Sequence, residues 1–167
     1  ALAARSWQDK LVAVAGLDDT LALGQDQELA EPPDLPGRPA QPELVPPSQV
    51  AQRSVQSPQG RAAMLHALVH IEFNAINLAL DAAYRFRTLP PAFTADWLRV
   101  AKEEAYHFSL MRGRLNAHGF DYGDFEAHNG LWDMAEKTAD SCLKRMALVP
   151  RVLEARGLDV TPAMILK

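Results

Sequence analysis

The sequence predicts an all-α protein built as one helical domain, and three observations carry that reading. Two long stretches, about 58–87 and about 94–118, repeat apolar residues at helical spacing without a break in the pattern. With 167 residues, 48% of them hydrophobic, the chain can bury one real core but not two large ones. Lastly, Glu104 and His107 stand one turn apart on the apolar side of the second stretch. On a wheel of about 100° per residue, Glu104 falls in the middle of an arc of Trp97, Val100, Ala101, Phe108, Met111 and Leu115. His107 flanks that arc and Glu103 points away from it. A carboxylate in apolar surroundings is costly unless something pairs with it, and an inward Glu-x-x-His is the half-site of carboxylate-bridged two-metal bundles.

Composition narrows the function classes. The formal charge of −4, from 17 basic and 21 acidic residues, is intermixed along the chain and supplies no global field for nucleic acid. A lone Cys142 permits no intramolecular disulfide and no cysteine-rich metal knuckle, which points to a reducing, cytoplasmic compartment. No run approaches the roughly 20 consecutive apolar residues of a membrane span, and the N-terminus lacks the order of a signal peptide. The first residue is Ala1 rather than methionine, as expected of part of a longer protein.

In chain order, Ser6-Trp7-Gln8-Asp9 has the form of a capping box, with Asp where Glu or Gln is usual, and Leu11, Val12, Val14 and Ala15 supply a short amphipathic helix. Gly16 and Asp18-Asp19 weaken that helix, and Gly24 ends the next segment. From about Glu31 to Pro58, closely spaced prolines rule out helix or central strand. An extended strap over the domain surface is favoured there over a proline-rich ligand for a partner. Residues 1–58 therefore form a short helix and strap, and 59–167 the helical domain.

Ser57-Pro58 is an N-cap followed by proline at the first helical position. On the helix it starts, Glu72 lies near the centre of an apolar arc of Leu65, Leu68, Val69, Ile76, Ala79, Ala83 and Phe86. His66, His70, Asn74, Asn77 and Asp81 gather on the other side and read as a polar face. The two histidines could chelate a surface ion there, but they cannot share a site with Glu72. Leu89-Pro90-Pro91 breaks the chain, Thr94 or the prolines start the next helix, and Gly119 suits its end. Residues 120–130 read as an ordered loop; the spacing of an EF-hand is absent from them.

A third helix is expected over about 131–156, burying Leu131, Met134, Ala135, Thr138, Cys142, Met146, Val149 and Leu153. Pro150 predicts a kink near Leu148 or a break into two segments. Glu154 lies beside the apolar arc on an unkinked wheel, so the pattern alone does not place it in the core. Gly157 ends the helix, and Thr161-Pro162 starts a fourth that stops after about one turn.

Two antiparallel long helices of similar depth would bring Glu72 opposite Glu104 and His107. Two carboxylates and an imidazole suit iron, manganese or zinc. The competing reading is a buried Glu-His pair that closes a polar gap in the core. Tyr106 and Trp97 are read as ordinary packing residues rather than as electron carriers.

The phrases His66-Ala67-Leu68-Val69-His70-Ile71-Glu72-Phe73-Asn74, Glu103-Glu104-Ala105-Tyr106-His107-Phe108, Tyr122-Gly123-Asp124-Phe125 and Leu148-Val149-Pro150-Arg151-Val152-Leu153-Glu154-Ala155-Arg156-Gly157 resemble the ferritin-like family labelled DUF455. More loosely, the chain is similar to di-iron tRNA hydroxylases. The resemblance implies a ferritin-like four-helix bundle, here with its fourth helix truncated, around a carboxylate-bridged di-iron or other transition-metal pair. It assigns Glu72 as first-helix ligand, Glu104 and His107 as second-helix ligands and Glu154 as a third-helix bridge, and it expects a second Glu-x-x-His on the fourth helix. The function expected is that of a di-metal oxidoreductase acting on a small molecule, with a non-catalytic scaffold or partner-binding module as the alternative. A tRNA substrate rests on the looser analogy alone, no membrane partner is expected, and bundle surface left uncovered should favour self-association.

Overall fold

The computed structural model describes residues 1–18 and 34–154, with side chains to Pro150. Five α-helices and no strand make up the described part, as an all-α chain requires. Its centre is a hairpin of α2 (Pro58–Arg85) and α3 (Pro91–Asn116), joined through the short 86–90 turn. Ser57 Oγ accepts the Gly60 N–H at 3.0 Å, so one free amide of the first turn of α2 is satisfied, and Pro58 takes a position that needs none. Pro91 opens α3 in the same way. At its far end Gly119 adopts φ +83°, a left-handed turn that a side chain would resist.

Hairpin register is set by ring packing. Phe86 meets Phe93 at 6.4 Å beside the turn, and Phe73 meets Phe108 at 5.9 Å some four turns deeper. That register also places Glu72 across from His107.

Helix α1 (Trp7–Ala15) lies against α3. Ser6 Oγ accepts the Asp9 N–H at 3.0 Å, the cap expected from the sequence. Trp7 packs on Phe108, the Arg112 guanidinium sits 4.0 Å above the Trp7 ring, and Val14 is buried. Of the residues expected to form the buried side of α1, Val12 is 74% exposed, while Lys10 is wholly buried.

Residues 34–57 form an extended strap with one 3₁₀ turn at Pro47–Gln49. It is tied down along its length. Arg38 reaches Asn74 of α2, Val45 N–H donates to Ala127 O at 2.8 Å, and Arg53 pairs with Glu126 at 3.3 Å. The 120–130 loop is ordered, as its composition suggests, with Tyr122, Phe125 and Ala127 buried and Arg112 bound to Asp121.

Two expectations need correcting. The polar face of α2 is no solvent face: His66, His70, Asn74, Asn77 and Asp81 are all buried, because the strap, the 120–130 loop and the chain around Arg145 cover them. The third helix is not continuous. It runs as α4 (Gly130–Lys137), breaks at 138–141, and resumes as α5 (Cys142–Met146). Ser141 caps the new start, and Arg145 from α5 folds back to donate to Ala135 O of α4 at 2.6 Å. Near Leu148, where Pro150 predicts a kink or a break, the α-helix gives way: α5 ends at Met146 and a π-helical segment, Ala147–Glu154, carries the proline. The expected inner side of this region largely holds, with Ala135, Thr138 and Val149 buried and Leu131, Met134, Cys142 and Met146 half-buried. The expectations for Gly24, Gly157 and the Thr161-Pro162 helix start lie outside the described residues.

By length and composition α2 alone among the described helices could cross a membrane, yet half of its most apolar window is buried within the fold. That is the condition of a core helix.

Candidate metal centre

Glu72 from α2 and Glu104 and His107 from α3 come together where the hairpin faces meet. One ligand atom from each lies within 4.8 Å of the others. His107 Nδ1 is 3.1 Å from Glu104 Oε2 and 3.9 Å from Glu72 Oε2. The grouping arises from local structure. Glu104 and His107 share a face because they are one helical turn apart, and the hairpin register sets Glu72 opposite.

The cluster stands at the edge of the core rather than inside it. The Glu72 and Glu104 side chains are 23% and 19% exposed and that of His107 is 51% exposed. The buried stripe of α3 runs through Thr94, Leu98, Ala101, Phe108 and Leu115, and the expected arc is displaced from it. Trp97, Val100 and Glu104, all within that arc, instead line a groove of about 760 Å³. Glu103 points to solvent, as expected, and so does Tyr106.

Electrostatics at the cluster are unbalanced. Partial burial, a hydrogen bond shared with Glu104 and the repulsion of the Glu104 charge together push Glu72 up to about 7, against a smaller opposing pull from His107. Two carboxylates this close resist carrying two charges, so Glu72 holds its proton to a higher pH than an ordinary carboxyl. A multivalent cation would answer the same charge without the proton. On donor type as well, two carboxylate oxygens and one imidazole nitrogen fit iron, manganese or zinc.

Glu154 ends the π-helical segment, and Met146, Val149 and Pro150 just before it line the same groove. Its side chain is outside the described set. His66 and His70 take no part in the cluster, as the wheel requires, and they are engaged elsewhere. His66 Nε2 accepts the Gly123 N–H at 3.0 Å, while His70 bonds the Tyr122 hydroxyl at 2.9 Å and the His128 carbonyl at 3.1 Å. Burial pushes both imidazoles down to about 4.

Sequence reasoning missed the buried ion pair of Asp81 and Arg145, joined at 2.6 Å with both side chains almost fully covered. Arg85 also binds Asp81, and Thr138 accepts from Arg145. The available signal was Asp81 itself, an acid on a face that had to be covered.

The family model described as "Protein of unknown function (DUF455)" matches residues 2–167. The chain belongs to the DUF455 family. A similar member is an uncharacterised protein of Haemophilus influenzae, 54% identical over 144 residues that cover 82% of this chain and 50% of the relative. This DUF455 chain thus spans about half the length of that relative. No solved structure matches it.

Proposed function

We propose that this DUF455 protein is a ferritin-like metal-binding protein and that Glu72, Glu104 and His107 hold a transition metal, with Glu154 the further ligand that would bridge to a second ion. The observation that carries the proposal is the convergence of two half-buried carboxylates and an imidazole within 4.8 Å, with no lysine or arginine among them. A di-iron pair held there would supply dioxygen activation, which makes a di-metal oxidoreductase the function the site supports best.

The chain's own residues would do three things. Glu72 and Glu104 supply negative charge from two different helices, so the hairpin register sets their separation. His107 adds a neutral nitrogen donor held by Glu104. Apolar walls from Ile71, Ala75, Trp97, Val100 and Val149 limit water and would seat the carbon skeleton of a substrate beside the cluster.

Elemental analysis of the protein, prepared at the full length of its relative from metal-replete medium, tests this directly. A stoichiometric transition metal is expected, with affinity reduced ~10–100-fold or more when Glu104→Ala or Glu72→Gln removes a ligand. No stoichiometric metal, together with unchanged uptake in Glu104→Ala, would end the proposal.

The exposure of His107 favours one other reading. A half-exposed imidazole beside an uncovered groove also suits a non-catalytic scaffold carrying one structural metal or none. Oxygen-dependent oxidation of a substrate would remove that alternative.

A further inference from the structure

On the other side of α2 from Glu72, the fold fully covers one cation and half-buries a second, and among the described residues neither has a carboxylate partner. Lys10 is fully covered, and among the described residues its ammonium donates to the carbonyls of Ala1 and Leu2 alone, at 3.4 and 3.0 Å, while standing 5.6 Å over the Phe73 ring. Arg38 from the strap donates Nη1–H to Asn74 Oδ1 at 3.2 Å and lies 5.8 Å over the Trp132 ring. Its Nη2 is buried with no hydrogen-bond partner. Among the described residues, no acid comes within ion-pair distance of either group. Buried charges are ordinarily paired, since an unanswered one retains its full desolvation cost.

A cavity of about 320 Å³ opens beside them, between the strap and α2. Arg38, His70, Phe73 and Tyr122 form its inner wall, and strap residues 39–44 form the rest. The Tyr122 hydroxyl adds a polar group there, fixed by its bond to His70. Asp133 and Glu136 are close enough to Arg38 to be felt but not to bond it, and Glu43 is an exposed acid at the rim. The positive charge therefore lies at the inner end.

We infer that this cavity is a binding site for a small organic oxyanion, a carboxylate or phosphate carried on the inner end of the ligand and met by the Arg38 guanidinium. The planar guanidinium fork matches either group. Lys10, one ring further in behind Phe73, strengthens the field without touching the ligand. The volume suits a metabolite-sized molecule rather than a polymer. The site shares no proposed ligand residue with the metal centre, although His70 lines both this cavity and the groove beside Glu72.

The test is thermal unfolding of the metal-free chain at constant ionic strength, in chloride, inorganic phosphate or acetate. Phosphate or acetate should raise Tm progressively with concentration relative to chloride, as a ligand of the native state does. The better of the two identifies the head group. Arg38→Gln should weaken the apparent affinity ~10-fold or more, and Lys10→Met should weaken it by less. Equal shifts in the wild type and Arg38→Gln would reveal a general salt effect and overturn the site, as would no shift from either anion. Should Arg38→Gln fail to fold, Tyr122→Phe and Lys10→Met carry the comparison, and unchanged affinity in both overturns the site equally.

Discussion

The two sides of α2 each carry ionisable groups and reach opposite outcomes. One side carries His66, His70, Asn74, Asn77 and Asp81, and it is the more deeply buried. The other carries Glu72 among aliphatic residues, and it opens onto the groove. On the first side His66, His70, Asn74 and Asp81 find partners from the strap, the 120–130 loop or Arg145, whereas the buried Asn77 amide has none among the described residues. On the second, Glu72 finds only another acid and an imidazole. A polar group is structural where its partners are neutral or oppositely charged, and available for ligand binding where they are not.

The largest effect expected of that contrast is at Asp81. Arg145→Ala should leave an acid buried with only Arg85 to answer it, costing about 3–5 kcal/mol in urea unfolding. A loss below about 1 kcal/mol would mean that the pair behaves as a surface salt bridge and that the face is open to water.

Next in size is the response to pH, which should run in opposite directions for the two sides in the metal-free protein. His66 and His70 are held near 4, below their ordinary 6.5, so the stability they contribute is full above pH 6.5 and is lost as pH falls toward 4. Glu72 is held near 7, above its ordinary 4.5, so its contribution is full below pH 4.5 and is lost as pH rises to about 7. Unfolding curves across pH 4–8 should therefore lose their alkaline decline in Glu72→Gln and keep the acid one. Retention of the alkaline decline would show that Glu72 is not the group responsible.

Tyr122→Phe should cost about 1 kcal/mol through the lost hydrogen bond to His70. Hydrogen exchange should then rise in the 120–128 loop and not at the hairpin turn. The smallest effect belongs to Glu103→Ala. It should leave both stability and metal uptake unchanged within about 0.5 kcal/mol, and a large change would mean that the wrong acid of the Glu103-Glu104 pair has been assigned.

Much of the hairpin was legible in the sequence because its signals are local. Ser57-Pro58, Pro90-Pro91 and Gly119 mark ends through backbone chemistry that operates whatever surrounds them, and the spacing of Glu104 and His107 is a property of the helix alone. The break at 138–141 was less legible. Ser141 is a good cap, but apolar spacing continues through it, and only the reach of Arg145 to Ala135 shows why the chain stops and restarts there. Pro150 was the more legible signal, since the α-helix gives way to a π-helical segment just before it, close to the predicted kink or break.

By itself the sequence determined the all-α class, the ends of the long helices and which acids and imidazoles share a face, because caps, breakers and periodicity act within a few residues. That the polar face of α2 is interior as well as the apolar one was decided only by the tertiary structure. A polar stripe and an apolar stripe can each be buried, and the outcome depends on whether distant segments such as Arg38, Tyr122 and Arg145 arrive with matching hydrogen bonds and charge.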